Sequence, residues 1–193
     1  MLSDTEVLFV ALATLAIFRK RISGRAWLAI ALAFGGSVVI AAAETAAGAN
    51  PLRGNLLGLS AAALMAVYTM IGSVCRRKVS TTVYTFLVYC AAALTVAAAA
   101  IVSGTPVFGY GALNLGIGLG LAVFPTLLGH SVFSWGLKYL PPTFIATAKL
   151  LEPVLASVMG WLLFRENPGW QVAVGGCIVI AGIALYGKEE SKE

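Results

Sequence analysis

Seven apolar runs of helical length, joined by short loops, leave this chain one solvent to fold in, and that solvent is lipid. The runs are Thr5–Phe18, Ala26–Ala43, Asn55–Cys75, Thr81–Val102, Leu113–Leu137, Thr143–Phe164 and Trp170–Tyr186. A helix of about 20 mostly apolar residues crosses a hydrocarbon core of about 30 Å. Lipid offers no partner to backbone N–H and C=O groups, so only helices and closed barrels span it. Barrel strands alternate apolar and polar side chains over about ten residues, and these runs do not. The chain is 60% hydrophobic and 11% charged, against about 25% charged in soluble domains. The expected fold is all-α: a polytopic membrane helix bundle of about seven transmembrane helices. Thr5–Phe18 reads as a span rather than a secretion signal, because Asp4 and Glu6 stand where a basic leader would.

Alternating spans sort the charges. Arg19, Lys20, Arg21, Arg25, Arg76, Arg77, Lys78, Lys138, Lys188 and Lys192 fall on one side, and only Arg53 and Arg165 on the other. Cytoplasmic loops carry the excess of Lys and Arg, which puts the first side and the C-terminus in the cytoplasm of an inner or plasma membrane. The net charge of +5 is thus spread over short loops and forms no face for nucleic acid. No phosphate-binding loop, Ser/His/Asp set or HExxH occurs, so neither an enzyme nor an ATP-driven pump is expected. Cys75, Cys90, Cys177 and the single His130 are scattered, so neither a metal nor a cofactor is expected.

One span breaks the apolar rule. Ala148–Trp161 reads AKLLEPVLASVMGW and carries Lys149 and Glu152 with Pro153 next to them. At 1.5 Å per residue from Pro142, these charges lie about 10 and 15 Å into the membrane. A charge there costs about 2.5–3.5 kcal/mol on insertion scales, so intramembrane charges are functional candidates by default. Lys149 and Glu152 are three apart, share a helix face and can pair. Pro153 has no N–H and deprives the Lys149 carbonyl of its helical partner. Of the two charges, Glu152 is the candidate proton carrier. The same features also suit a buried ion pair that only fixes packing. His130, five residues after a possible kink at Pro125, is a candidate relay or simply a neutral histidine satisfied by a neighbouring helix. Tyr68, Tyr84, Tyr89, Phe133 and Trp135 are candidate cavity or packing residues. Gly54 with Gly58, and Gly116 with Gly118 and Gly120, have the spacing of close helix contacts.

An internal match links the two ends of the chain. Glu6 and Glu152 are 146 positions apart, and at that offset Phe18 falls on Phe164, Arg19 on Arg165 and Gly36 on Gly182. Five helices separate the copies, so the copies point in opposite directions, as in inverted-repeat transporters. Glu6 is then either a counterpart of Glu152 or the acid that answers Ser3, three residues on, in a capping box. Lys149 matches Ser3, so no charge pair repeats.

Trp135, the Leu137–Pro142 turn LKYLPP, Glu152-Pro153-Val154 and Phe164-Arg165-Glu166 together resemble the second repeat of an EamA-type transporter of the drug/metabolite transporter superfamily. That resemblance implies ten helices in two inverted five-helix repeats. Residues 1–43 would be the last two helices of the first repeat, 55–187 the whole second repeat, and 188–193 a polar cytoplasmic tail. It implies alternating-access movement of small polar metabolites, such as amino acids, related compounds or drugs, gradient-coupled or facilitated, with Glu152, Lys149, His130 and Glu6 along the pathway. The first three helices of such a fold have no counterpart here. The alternative expectation is a non-transporting truncated product, or a subunit that pairs with a second copy or another membrane chain, with Lys149 and Glu152 as a structural pair.

Overall fold

Breaks within the long helices shape the fold as much as the helices do. The computed structural model describes residues 2–42, 51–165 and 167–191, apart from the side chains of 51 and 52. The expected loop Glu44–Leu52, the acid of Phe164-Arg165-Glu166 and Lys192 fall wholly or partly outside them. A 3-10 turn, Leu2–Thr5, leads into α1, Glu6–Ala16. Next come α2 (Gly24–Ala42), α3 (Pro51–Cys75) and α4 (Thr81–Val102). A composite span follows: α5 (Gly111–Leu121), a π-helical segment Ala122–His130 and α6 (Ser131–Gly136). A second composite span holds α7 (Pro142–Lys149) and α8 (Glu152–Phe164), and α9 (Trp170–Glu190) follows it. No strand occurs among the described residues.

The all-α membrane bundle is as expected. Among the described residues, six helices are long and apolar enough to cross a membrane: Gly24–Ala42, Arg53–Cys75, Thr81–Val102, Gly111–Gly136, Pro142–Phe164 and Trp170–Glu190. The seventh expected span, Thr5–Phe18, is α1, whose 11 residues reach only about 16 Å at 1.5 Å per residue. Its start at Glu6 is a break, as the start of α8 at Glu152 is.

The chain forms two compact units, Met1–Ile71 with Leu140–Glu193, and Gly72–Tyr139. In the first, α2 and α9 pack backbone to backbone. Ala26, Ala29, Ile30, Ala33, Gly36, Ser37 and Ile40 make one buried face of α2; Gly175, Gly176, Val179, Gly182 and Tyr186 make that of α9. A Cβ on Gly36 would sit 2.6 Å from the Gly175 carbonyl oxygen and 2.7 Å from the Val179 nitrogen. A Cβ on Gly182 would sit 2.6 Å from the Ala33 nitrogen and 2.8 Å from the Ala29 oxygen. These contacts are reciprocal at the offset of 146: Gly36 meets 175 and 179, and Gly182 meets their counterparts 29 and 33. An interface of this kind is that of a two-fold axis. The offset also carries the start of α1 onto that of α8, and the start of α2 onto that of α9. Arg19 and Arg165 are the two non-glycine residues with positive φ among those described, at 51° and 56°. At the ends of α2 and α9, the Ser23 hydroxyl donates to Glu189 (3.1 Å) and accepts from the Ala26 N–H (3.1 Å).

In the second unit the sequence from 72 to 139 holds no Asp or Glu, yet Arg76 is 1% exposed. Its Nε donates to the Ser134 carbonyl at 2.8 Å, and its other two nitrogens donate to the Val79 carbonyl and the Thr81 hydroxyl. Arg76 therefore ties the α3–α4 turn to α6 through its planar fork. A lysine cannot span that fork. Arg76→Lys is expected to cost about 1.5–3 kcal/mol, the range for hydrogen bonds to charged groups. Thermal unfolding in detergent measures this, and an unchanged midpoint would refute the tie.

The π segment has a local cause. Pro125 cannot donate to the Leu121 carbonyl four residues back. The Thr126 hydroxyl donates to that oxygen instead, at 3.1 Å. Tyr89 completes the repair: its hydroxyl donates to the Thr126 carbonyl (3.0 Å) and lies 2.9 Å from the Ser131 hydroxyl.

Candidate functional site

Two helix breaks in the first unit open on one cavity. Between α7 and α8 the backbone tightens: the Leu150 N–H donates to Thr147 (3.1 Å) and the Leu151 N–H to Ala148 (3.0 Å). These three-residue bonds are the 3-10 pattern. The 3-10 turn Leu2–Thr5 before α1 lies at the matching place, 146 residues earlier. Pro153 sits at the start of α8, where a missing N–H is harmless. The sequence break thus falls where Pro153 predicts it.

The cavity has a volume of about 480 Å³ and is lined by Ser3, Asp4 and Glu6 from the first break and Lys149, Leu150, Glu152 and Pro153 from the second. Ala61, Ala62 and Met65 of α3, with Ala146 and Ala156, supply its apolar wall. The Lys149 ammonium donates to Glu6 Oε1 at 2.8 Å and to the Thr69 hydroxyl at 3.3 Å. Thr69 also donates to the same Glu6 oxygen, at 2.7 Å. The side chains of Lys149 and Glu6 are 11% and 9% exposed, so this is a buried, hydrogen-bonded ion pair.

The pairing differs from the expected one in three respects. Lys149 pairs with Glu6 and not with Glu152, because the break at Leu150–Leu151 takes the two residues out of one helical register. Glu6 makes no capping box: no side chain caps α1, Thr5 precedes it in helical conformation, and the Glu6 carboxylate is committed to Lys149 and Thr69. Glu152 faces the cavity exposed, and among the described residues it takes neither a hydrogen bond nor an ion pair. Thr69 was missed; its only mark in the sequence is a hydroxyl in an apolar run.

His130 belongs to the other unit. It closes the π segment, half-buried, with its ring 6.3 Å from that of Tyr89. Tyr84 is buried and its hydroxyl lies 2.8 Å from where a Cβ on Gly72 would stand. Trp135 stacks on Tyr139 at 5.0 Å. Of the expected glycine contacts, Gly54, Gly116, Gly118 and Gly120 face open space and Gly58 meets Leu2. The close contact is instead between α2 and α9.

The comparisons with known proteins agree with this architecture. One solved crystal structure superposes with a TM-score of 0.81 at 17% identity, over 99% of this chain and 67% of its own, a likeness that bears on the fold alone. A stretch of 71 residues, 37% of this chain, is 31% identical to 26% of an uncharacterized transporter of Archaeoglobus fulgidus. A stretch of 75 residues, 38% of this chain, is 33% identical to 23% of an S-adenosylmethionine/S-adenosylhomocysteine transporter of Chlamydia muridarum. The matched stretches span about a quarter of these relatives' length. The profile of the EamA-like transporter family matches residues 52–187, well over half of the sequence, and the chain belongs to that family.

Proposed function

We propose that this chain carries the solute pathway of a secondary transporter for small polar metabolites, working by alternating access. The observation that carries this is the cavity at the two helix breaks, with Glu152 facing it and, among the described residues, taking no hydrogen bond or ion pair. Broken helices with charged groups at mid-membrane line solute sites in transporters, because the freed backbone and the carboxylate can both reach a solute. Residues 1–43 are read as the last two helices of a first repeat and 55–187 as a second, rocking about the α2–α9 crossing. Lys20, Arg21, Pro141 and Glu189 line one hollow at a single end of the first unit. This supports a cytoplasmic placement of that end and of the C-terminus, in a plasma or inner membrane.

The relatives named for S-adenosylmethionine and S-adenosylhomocysteine make these the first solutes to assay. Glu152→Gln is expected to lower flux into reconstituted vesicles at least tenfold, with the protein still membrane-inserted. Equal flux in the variant and the parent would remove Glu152 from the pathway. A second reading has its own support in the satisfied Lys149–Glu6–Thr69 knot, which suits a purely structural link. In that reading the chain is a non-transporting subunit, copurifies with a second copy or another membrane chain, and shows no saturable flux alone.

A further inference from the structure

The two-fold relation between the ends of the chain turns the Lys149–Glu6 pair into a template. At the offset of 146, Glu6 matches Glu152 and Lys149 matches Ser3. The reciprocal α2–α9 contacts show that this offset is obeyed in space and not only along the sequence. The two-fold copy of a Lys149 ammonium on Glu6 is therefore an ammonium on Glu152, reaching it from position 3. Position 3 is a serine, too short and uncharged to supply one, and both Ser3 and Glu152 line the cavity.

One half of the site is thus filled by the protein's own cation, and the other half offers the same acid with no ion-paired cation among the described residues. The charges agree. Asp4, Glu6 and Glu152 line the cavity against Lys149 alone, and Lys149 is already taken by Glu6 at 2.8 Å. An anionic solute would have to displace Glu6 from Lys149 and leave a buried carboxylate unpaired. A cation takes Glu152 and leaves the Lys149–Glu6 pair intact. Ala61, Ala62, Met65 and Leu150 would cover the apolar part of such a solute.

We propose that the cavity recognises an organic cation, whose charged group binds Glu152 beside Ser3 in the place that two-fold symmetry assigns to a second ammonium. This rests on the transporter reading above and names its substrate class.

The test is a double-mutant cycle with a ligand arm. Ser3→Lys supplies the missing ammonium from the protein. It is expected to raise the unfolding midpoint in detergent by about 2–4 °C, the shift for roughly 1 kcal/mol in a chain this size. That gain should vanish when Glu152→Gln is also present. Benzyltrimethylammonium should raise the midpoint of the parent, but not of Ser3→Lys or Glu152→Gln, and the anion benzylsulfonate should not raise the parent's. An equal effect of Ser3→Lys with and without Glu152 overturns the proposal. So does an absence of stabilisation by the cation, or greater stabilisation by the anion. Failure of the transporter reading looks different: no flux in vesicles, with the Ser3→Lys coupling and the cation response intact.

Discussion

Gly36→Ala and Gly182→Ala will each destabilise the protein by about 3 kcal/mol, the upper end of the usual cost of overpacking a well-packed core. One added methyl has this effect because the atoms it meets cannot rotate away. The Cβ on Gly36 would lie 2.6 Å from a backbone oxygen of α9, and that on Gly182 would lie 2.6 Å from a backbone nitrogen of α2. Relief requires the two helices to move apart, and Ala29, Ile30, Ala33 and Val179, all 0% exposed, would lose contacts along the whole crossing. Lipid does not drive apolar helices together, so such packing is much of what joins them. Gly116→Ala in α5 is the control: nothing lies within 4 Å of its Cβ. It should stabilise slightly, by about 0.5–1 kcal/mol, because glycine is the costlier residue inside a helix. Thermal unfolding of the three variants in one detergent decides the matter. Equal midpoints for Gly182→Ala and Gly116→Ala would mean that the α2–α9 contact is not tight.

This contact illustrates what the sequence conceals. Hydropathy marks the spans plainly, because lipid selects every residue on a long helix at once. It does not rank the 21 glycines as contacts, so the spacings at Gly54 and Gly116 read as close packing, while Gly36 and Gly182 stand out only as a repeat match and Gly175 not at all. The last three act through a partner 135 or more residues away. Lys149 shows the same limit. Spacing offers Glu152 as its neighbour, and only the tertiary fold brings in Glu6 and Thr69. Arg76 reads as one of ten topology-setting cations until its burial against carbonyls is seen. Pro153 and Pro125 were legible, because a missing N–H acts within four residues of itself. The 146-residue match is visible as four coincident pairs, and it becomes an argument when helix starts, positive φ angles and reciprocal glycine contacts obey the same offset.

Lys149→Met will cost about 3–5 kcal/mol, the loss expected when one partner of a buried ion pair is removed. It leaves the Glu6 carboxylate, 9% exposed, with only the Thr69 hydroxyl among the described residues, at 2.7 Å, to satisfy it. Glu6→Leu should also be harmful, since it takes the paired carboxylate from a buried ammonium. The double variant Lys149→Met with Glu6→Leu should regain most of the loss, because apolar side chains of similar volume replace buried pairs at little cost. Unfolding midpoints of the four proteins give the coupling between the two sites, and a zero coupling would contradict the 2.8 Å contact. Flux measured on the same four proteins then separates structure from mechanism. A pair that only holds α1 against α7 is dispensable once its stability is restored, so the double variant would transport. A pair that must part as the two helix breaks rearrange cannot be replaced by a permanent apolar contact, and the double variant would be stable and inactive. The second outcome is expected, because Lys149 and Glu6 lie in the wall of the same cavity as Glu152, and a solute that reaches one carboxylate disturbs the field of the other.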